Sequence, residues 1–199
     1  MIILLGKSAS GKDTIVRNLV EQHDYKRIIT WTTRPMRPGE KEGVTYHYTT
    51  EEDFKKKINE GFFVEWKKYE TVKGTWYYGT ALDDIMKARN DDYSVIILTK
   101  DGLEKLNSFC SHLVGINLLS VYLDVDTKVI KQRLLKRGDD KKEAARRIKY
   151  DKKDFKGIEN MVDVVIENNH RDIQEVVNMI HKMHVTYLDN LSRWMNEEV

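Results

Sequence analysis

The chain has 199 residues, of which 40% are hydrophobic, with 34 Lys and Arg against 32 Asp and Glu; that is enough sequence for one domain with a sizeable core. A net charge of +2 argues against a general nucleic-acid binder with a strongly basic face, and no apolar run approaches the roughly 18 residues that a membrane span needs. A single cysteine, Cys110, excludes an internal disulfide and a cysteine-rich zinc site. A soluble, cytoplasmic protein is expected, with a buried or partly buried free thiol in reducing surroundings. The short apolar start has no basic region before it and does not read as a secretory signal.

Residues 1–5 read as a short buried strand, and Thr14, Ile15, Val16, Leu19 and Val20 recur at helical spacing. Between them lie Gly6, Lys7, Ser8, Ala9, Ser10, Gly11, Lys12 and Asp13. Two glycines with four residues between them, the second followed by lysine, between a strand and a helix, form the context of a phosphate-binding loop. Such a loop turns successive N–H groups inward, and the helix behind it adds its positive end. Residues 6–14 are therefore candidates to bind the polyphosphate of a nucleotide, with Lys12 reaching the outer phosphates. The position after the lysine is normally Ser or Thr, whose hydroxyl ligates Mg²⁺. Here it is Asp13, which can hold the metal directly or through water. A plain glycine-rich turn is the alternative.

Further along, strand-like runs occupy residues 26–31, 94–98, 118–123 and 162–167, with helical patterns between most of them, as over Thr127–Lys136. This alternation predicts an α/β fold with a central parallel sheet flanked by helices. Two segments interrupt it. Residues 32–78 are dense in aromatics, and Thr50 and Asp53 resemble a capping box opening a short helix that ends near Gly61. Strand-like pieces at 45–48, 63–69 and 76–79 surround that helix, so a small mixed α/β subdomain is expected. Residues 137–155 form a charged helical stretch, either a solvated helix or a mobile lid over phosphates. From Asp172 onward, Ile173, Val176, Val177, Ile180 and Met183 mark a long amphipathic helix.

Three stretches carry a more specific likeness: Thr32, Thr33, Arg34, Pro35, Met36, Arg37, Pro38, Gly39, Glu40, then Gly43, Val44, Thr45, Tyr46; Phe63, Val64, Glu65, Trp66; and Tyr77, Tyr78, Gly79, Thr80. With the phosphate loop they resemble the guanylate kinase family over most of residues 1–185. The resemblance implies a P-loop kinase built as one domain, with a core of residues 1–31, 81–136 and 156–199, a monophosphate-binding subdomain over 32–80 and a helical lid over 137–155. It implies transfer of a phosphoryl group from ATP to GMP, and to dGMP, with Mg²⁺. The partners would be small nucleotides, with no nucleic acid and no membrane, and the protein would be a monomer or a homodimer.

By the same resemblance, Arg34, Arg37, Tyr46 and Tyr78 hold the GMP phosphate, and guanidinium forks suit a phosphate monoester better than ammonium groups. Glu65 accepts the guanine N1–H and 2-amino group, with Thr30 and Thr80 completing the base contacts. Arg137 and Arg147 clamp the transferring group, although Arg146 could take the place of Arg147, and Asn168 lies near the adenine of ATP. An Asp, X, Asp group usual in the family reads Thr99, Lys100, Asp101 here; Asp101 is kept as an acceptor-site residue, and the missing acid leaves another acceptor open. The alternatives are a kinase for another nucleoside monophosphate or a sugar bisphosphate, and a non-catalytic protein-binding module.

Overall fold

The computed structural model describes residues 1–113 and 115–197. In chain order its first elements are β1 (Ile2–Gly6), α1 (Lys12–His23), β2 (Lys26–Arg27), β3 (Trp31–Thr32), β4 (His47–Tyr48), α2 (Glu51–Asn59), β5 (Phe63–Thr71) and β6 (Gly74–Ala81). Then follow α3 (Leu82–Ala88), β7 (Ser94–Ile97), α4 (Lys100–Cys110), β8 (Leu119–Asp124), α5 (Thr127–Lys136), α6 (Lys141–Asp154), a 3-10 turn over Ile158–Asn160, β9 (Val164–Glu167) and α7 (Ile173–Glu197). They divide into two compact units, residues 1–27, 93–100 and from 117 onward in one, and residues 28–92 and 101–116 in the other.

The first unit holds a five-stranded sheet in the order β2, β7, β1, β8, β9, parallel throughout. β1 lies in the middle, where both faces are covered, and all five of its residues are buried. Ile2, Leu4, Val121 and Leu123 meet Ile15, Val16 and Leu19 of α1 and Val176, Val177 and Ile180 of α7 in one apolar cluster. Tyr122, one residue out of phase on β8, points to the other face, where its ring lies 5.7 Å from that of Phe155. The fold is thus α/β, with a parallel sheet flanked by helices. Among the described residues no helix is long and apolar enough to cross a membrane.

The second unit is a four-stranded sheet in the order β4, β3, β6, β5, with α2 against it. Thr50 caps α2 by accepting the Asp53 N–H at 3.1 Å, and Phe54 is fully buried, stacked on Phe63 at 4.4 Å between ring centres. The strand expected over residues 26–31 is two strands in two sheets. Lys26 and Arg27 pair with Ser94 and Val95, whereas Trp31 and Thr32 pair with Gly79 and Tyr78. Local β-propensity shows that a run is extended but not which partner it takes. Residues 81–92 and 101–116 also lie in this unit rather than with the parallel sheet. Leu82 donates its N–H to Phe62 at 2.9 Å, and Lys105 reaches the Trp66 carbonyl at 3.1 Å.

Where α1 ends against α7, the Tyr25 hydroxyl lies 2.8 Å from Nδ1 of the buried His184 and 3.3 Å from Nδ1 of His181. Burial, then the N-terminal amine and His181, push the His184 imidazole down to about 4. An unfolded histidine titrates near 6.5, so between those values the unfolded chain binds the extra proton. The stability this group supplies is therefore complete above about pH 6.5 and is lost as pH falls toward 4. Once partial solvent screening is allowed for, a loss on the order of 2 kcal/mol is expected across that window. Urea unfolding of wild type and His184→Gln at pH 7 and pH 4.5 checks it: the variant should show the smaller drop.

Candidate functional site

The phosphate-binding loop joins the central strand to α1. Gly11 caps the helix with φ 104°, a left-handed conformation that glycine adopts without penalty. A Cβ on Gly6 would lie 2.5 Å from Ser10 Oγ and 3.1 Å from the Leu123 carbonyl, so only glycine fits there. Ser10 donates its N–H to Lys7 at 3.2 Å, closing the turn. The Lys12 ammonium folds back into its own loop, donating to the Gly6 carbonyl at 2.6 Å, the Lys7 carbonyl at 2.9 Å and Ser10 Oγ at 3.3 Å. Desolvation pulls Lys12 below its ordinary range, against the opposing charges of Asp13 and Asp151 and together with the like charge of Arg137. Arg137 is thus brought within electrostatic reach of the loop.

Asp13 stands in the first turn of α1, 65% exposed at its side chain, with Arg27 Nη2 3.1 Å from Oδ1. Asn168, at the end of β9, donates Nδ2 to the Ser10 carbonyl at 2.9 Å; its buried Oδ1 has no partner among the described residues. Arg137 closes α5 and holds Asp139, Nε to Oδ2 at 2.7 Å. Arg147 and Arg146, the two candidates for one clamp position, both grip Glu143, with Nε to carboxylate distances of 2.7 and 2.8 Å. Burial alone would raise the Glu143 pKa, but these two arginines win and hold it at about 2.

In the second unit, Arg34 is 3% exposed. It donates Nη2 to Glu40 Oε1 at 2.8 Å and Nη1 to the Pro35 carbonyl at 2.7 Å, and its guanidinium lies over the Tyr46 ring at 5.3 Å. Glu40 also accepts the Arg37 N–H at 2.8 Å and the Tyr48 hydroxyl at 2.7 Å. Tyr78 meets Tyr46 edge to face at 5.9 Å. Arg34, the Arg37 N–H and the Tyr48 hydroxyl thus meet at Glu40, while Tyr46 lies against the Arg34 guanidinium and Tyr78 against Tyr46. An irregularity in β5 between Phe63 and Glu65 sets Glu65 opposite Thr80 of β6. There Glu65, 7% exposed, accepts the Thr80 hydroxyl at 2.5 Å. Desolvation raises its pKa against the pull of that hydrogen bond and of Lys105, and Asp101 raises it further. Asp101 opens α4 and pairs with Lys105 at 3.0 Å. Thr30, just before β3, accepts the His47 N–H on its carbonyl at 2.9 Å. Lys100, in the first unit, donates Nζ to the Lys156 carbonyl at 2.8 Å.

Three residues of these clusters had no role on sequence grounds. Glu40 organises the arginine group, and its only signal was a place in the quoted motif. Arg133 donates to the Ala9, Ser10, Asn168 and Asn169 carbonyls at 3.0–3.5 Å. Asp151, within the charged stretch, reaches the phosphate loop.

A family model described as guanylate kinase matches residues 1–184. The chain is 34% identical to a guanylate kinase of Legionella pneumophila (strain Lens) over 143 residues, 71% of this chain and 65% of that protein. It is 28% identical to a guanylate kinase of Helicobacter pylori (strain HPAG1) over 209 residues, covering 100% and 97% of the two chains. A guanylate kinase of Clostridium perfringens (strain 13 / Type A) is 36% identical over 146 residues, 72% of this chain and 64% of that one. The match thus spans just under two thirds of the Legionella and Clostridium relatives. Among solved structures, the guanylate kinase of Anaplasma phagocytophilum superposes with a TM-score of 0.64 over 92% of this chain and 83% of that one; at 20% identity the likeness bears on the fold.

Proposed function

The chain belongs to the guanylate kinase family, and on that premise we propose that it transfers the γ-phosphoryl group of ATP to GMP, and to dGMP, giving ADP and GDP. The observation that carries this reading is Glu65, a buried carboxylate paired across the strands with Thr80. A carboxylate away from water needs donors, and guanine offers two adjacent ones, N1–H and the 2-amino group. Adenine does not.

Residues 32–80 would then carry the acceptor site and residues 137–155 a lid. Arg34 and Arg37, with the hydroxyls of Tyr46 and Tyr78, would hold the acceptor phosphate, with Thr30, Thr80 and Asp101 beside Glu65 at the base and ribose. Residues 6–14 would hold the donor phosphates. Asn168, whose buried Oδ1 lacks a partner among the described residues, would accept a hydrogen bond from the adenine amino group. An acceptor phosphate oxygen forms its bond to the γ-phosphorus as the bond to the β-bridging oxygen breaks and ADP departs. A phosphate monoester is largely dianionic at neutral pH, so no strong general base is needed. Orientation and charge stabilisation do the rest. Lys12 would exchange its loop carbonyls for the β- and γ-phosphates, and Arg137 and Arg147 would neutralise charge on the transferring group.

Magnesium arriving with the nucleotide would supply charge neutralisation at the phosphates. Among the described residues no group of three or more His, Cys, Asp or Glu could cage a metal. A lone, largely exposed carboxylate such as that of Asp13 fits magnesium, which is commonly held by one or two carboxylates together with phosphate oxygens and water. Asp13 is the carboxylate proposed for it. A reducing compartment such as the cytoplasm suits the single free thiol, Cys110.

An acceptor panel with coupled ADP detection tests the reading. GMP and dGMP are expected to be turned over at least about a hundredfold more efficiently than UMP, CMP or AMP. Equal use of all five would remove the guanine assignment, and absence of ADP formation with every acceptor would remove the kinase.

A further inference from the structure

A phosphate loop binds anions through inward-facing backbone N–H groups, and one of these already has an anion. Ser8 donates its N–H to Asp151 Oδ2 at 2.7 Å, across 143 residues of sequence. Asp151 is only 9% exposed. Its position follows from the helix: Asp140 caps α6, and Ala144 and Asp151, seven residues apart, fall on one buried stripe. A carboxylate held out of water needs a donor, and the loop supplies it. The same negative charge acts on Lys12, favouring its charged form against desolvation.

A phosphate oxygen at Ser8 would need the same N–H. Carboxylate and phosphate cannot share it in full, and two anions on one donor repel. The displaced side chain has somewhere to go. A cavity of about 480 Å³ opens beside α6, lined by Asp151 with Lys7, Lys152 and Lys156 and with the acids Asp124 and Glu159, of which Asp124 already pairs with Lys7 at 3.1 Å. On displacement the carboxylate would turn toward Lys152 and Lys156, which line the same cavity.

We propose that Asp151 is a donor-site residue that acts as a tethered competitor: its carboxylate takes the Ser8 N–H of the phosphate loop, and a polyphosphate binds by displacing it. The proposal rests on the reading of residues 6–14 as the donor loop, and it adds a discrimination to that loop. A single phosphate makes few contacts and displaces the carboxylate poorly. A di- or triphosphate also engages Lys12 and the helix end, and it succeeds. The loop would thereby be kept in its binding shape while empty and be shielded from inorganic phosphate.

The test uses the full chain as wild type, Asp151→Ala and Asp151→Asn, titrated by calorimetry with ADP, pyrophosphate, inorganic phosphate and adenosine. Asp151→Ala is expected to bind ADP and pyrophosphate about tenfold more tightly than wild type. Inorganic phosphate should gain at least as much, and adenosine, which has no phosphate, should not change. Asp151→Asn, isosteric and uncharged, should fall between. The rise in melting temperature produced by saturating pyrophosphate should grow in the same order. Equal or weaker pyrophosphate binding by both variants overturns the proposal while wild-type binding leaves the donor loop standing. No ADP or pyrophosphate binding by any form overturns the donor-loop reading and the proposal with it.

Discussion

Lys12→Ala is expected to lower kcat by about 10³-fold or more while changing the KM for GMP by no more than about threefold. Three acceptors hold the ammonium within the loop, at 2.6, 2.9 and 3.3 Å. They fix the head of the side chain within the loop, where partial burial disfavours its charged form. A desolvated ammonium meeting the β- and γ-phosphates interacts most strongly where charge builds up, in the transition state. That lowers the barrier rather than tightening the ground state. No GMP contact is assigned to Lys12, so acceptor binding should survive. Lys12→Arg is expected to rescue poorly, because a planar guanidinium cannot reproduce a compact point donor among those acceptors. Steady-state rates at saturating ATP decide the matter, and activity within threefold of wild type would remove Lys12 from the transfer step.

Glu65→Gln is expected to reduce kcat/KM for GMP by about 10²-fold or more and to leave the weak turnover of AMP nearly unchanged, so that the preference collapses. Glutamine keeps the size and one acceptor oxygen but replaces the other with an NH₂. That NH₂ would face a guanine donor, donor against donor, in a place where little water can intervene. The folding control runs the other way. Burial already disfavours the charged form of Glu65, so a neutral amide that still accepts the Thr80 hydroxyl should not lower the melting temperature. A variant that melts normally and still prefers GMP by the wild-type margin would show that guanine is selected elsewhere.

How much of this was legible in the sequence varied with the range of the interaction. The phosphate loop and the limits of α5 could be read because each is set by neighbours within a few residues: glycines where backbone must turn, apolar residues at helical spacing. Thr50 capping Asp53 is equally local. The segment over residues 26–31 misled because its extended backbone is local while its pairing is not; Lys26 and Arg27 went to β7, whereas Trp31 went to β6. The charged stretch over residues 137–155 looked evenly polar, yet Glu143 and Asp151 are buried. Their partners are two arginines on the same helix and a backbone N–H 143 residues away. The second of these leaves no trace in spacing or composition. The bulge that sets Glu65 against Thr80 escapes alternation for the same reason.

Arg133 ties together two segments more than 150 residues apart in sequence, through the carbonyls of Ala9 and Ser10 in the loop and of Asn168 and Asn169 after β9. With Asn168 itself bonded to Ser10, the end of the cradle proposed for adenine and the end proposed for phosphate form one braced piece. Ordering either end orders the other, so conformational entropy lost when the base docks need not be lost again when the phosphates arrive. The halves of a donor nucleotide would then bind with positive cooperativity, and base and polyphosphate offered separately would each bind more weakly than the intact nucleotide implies.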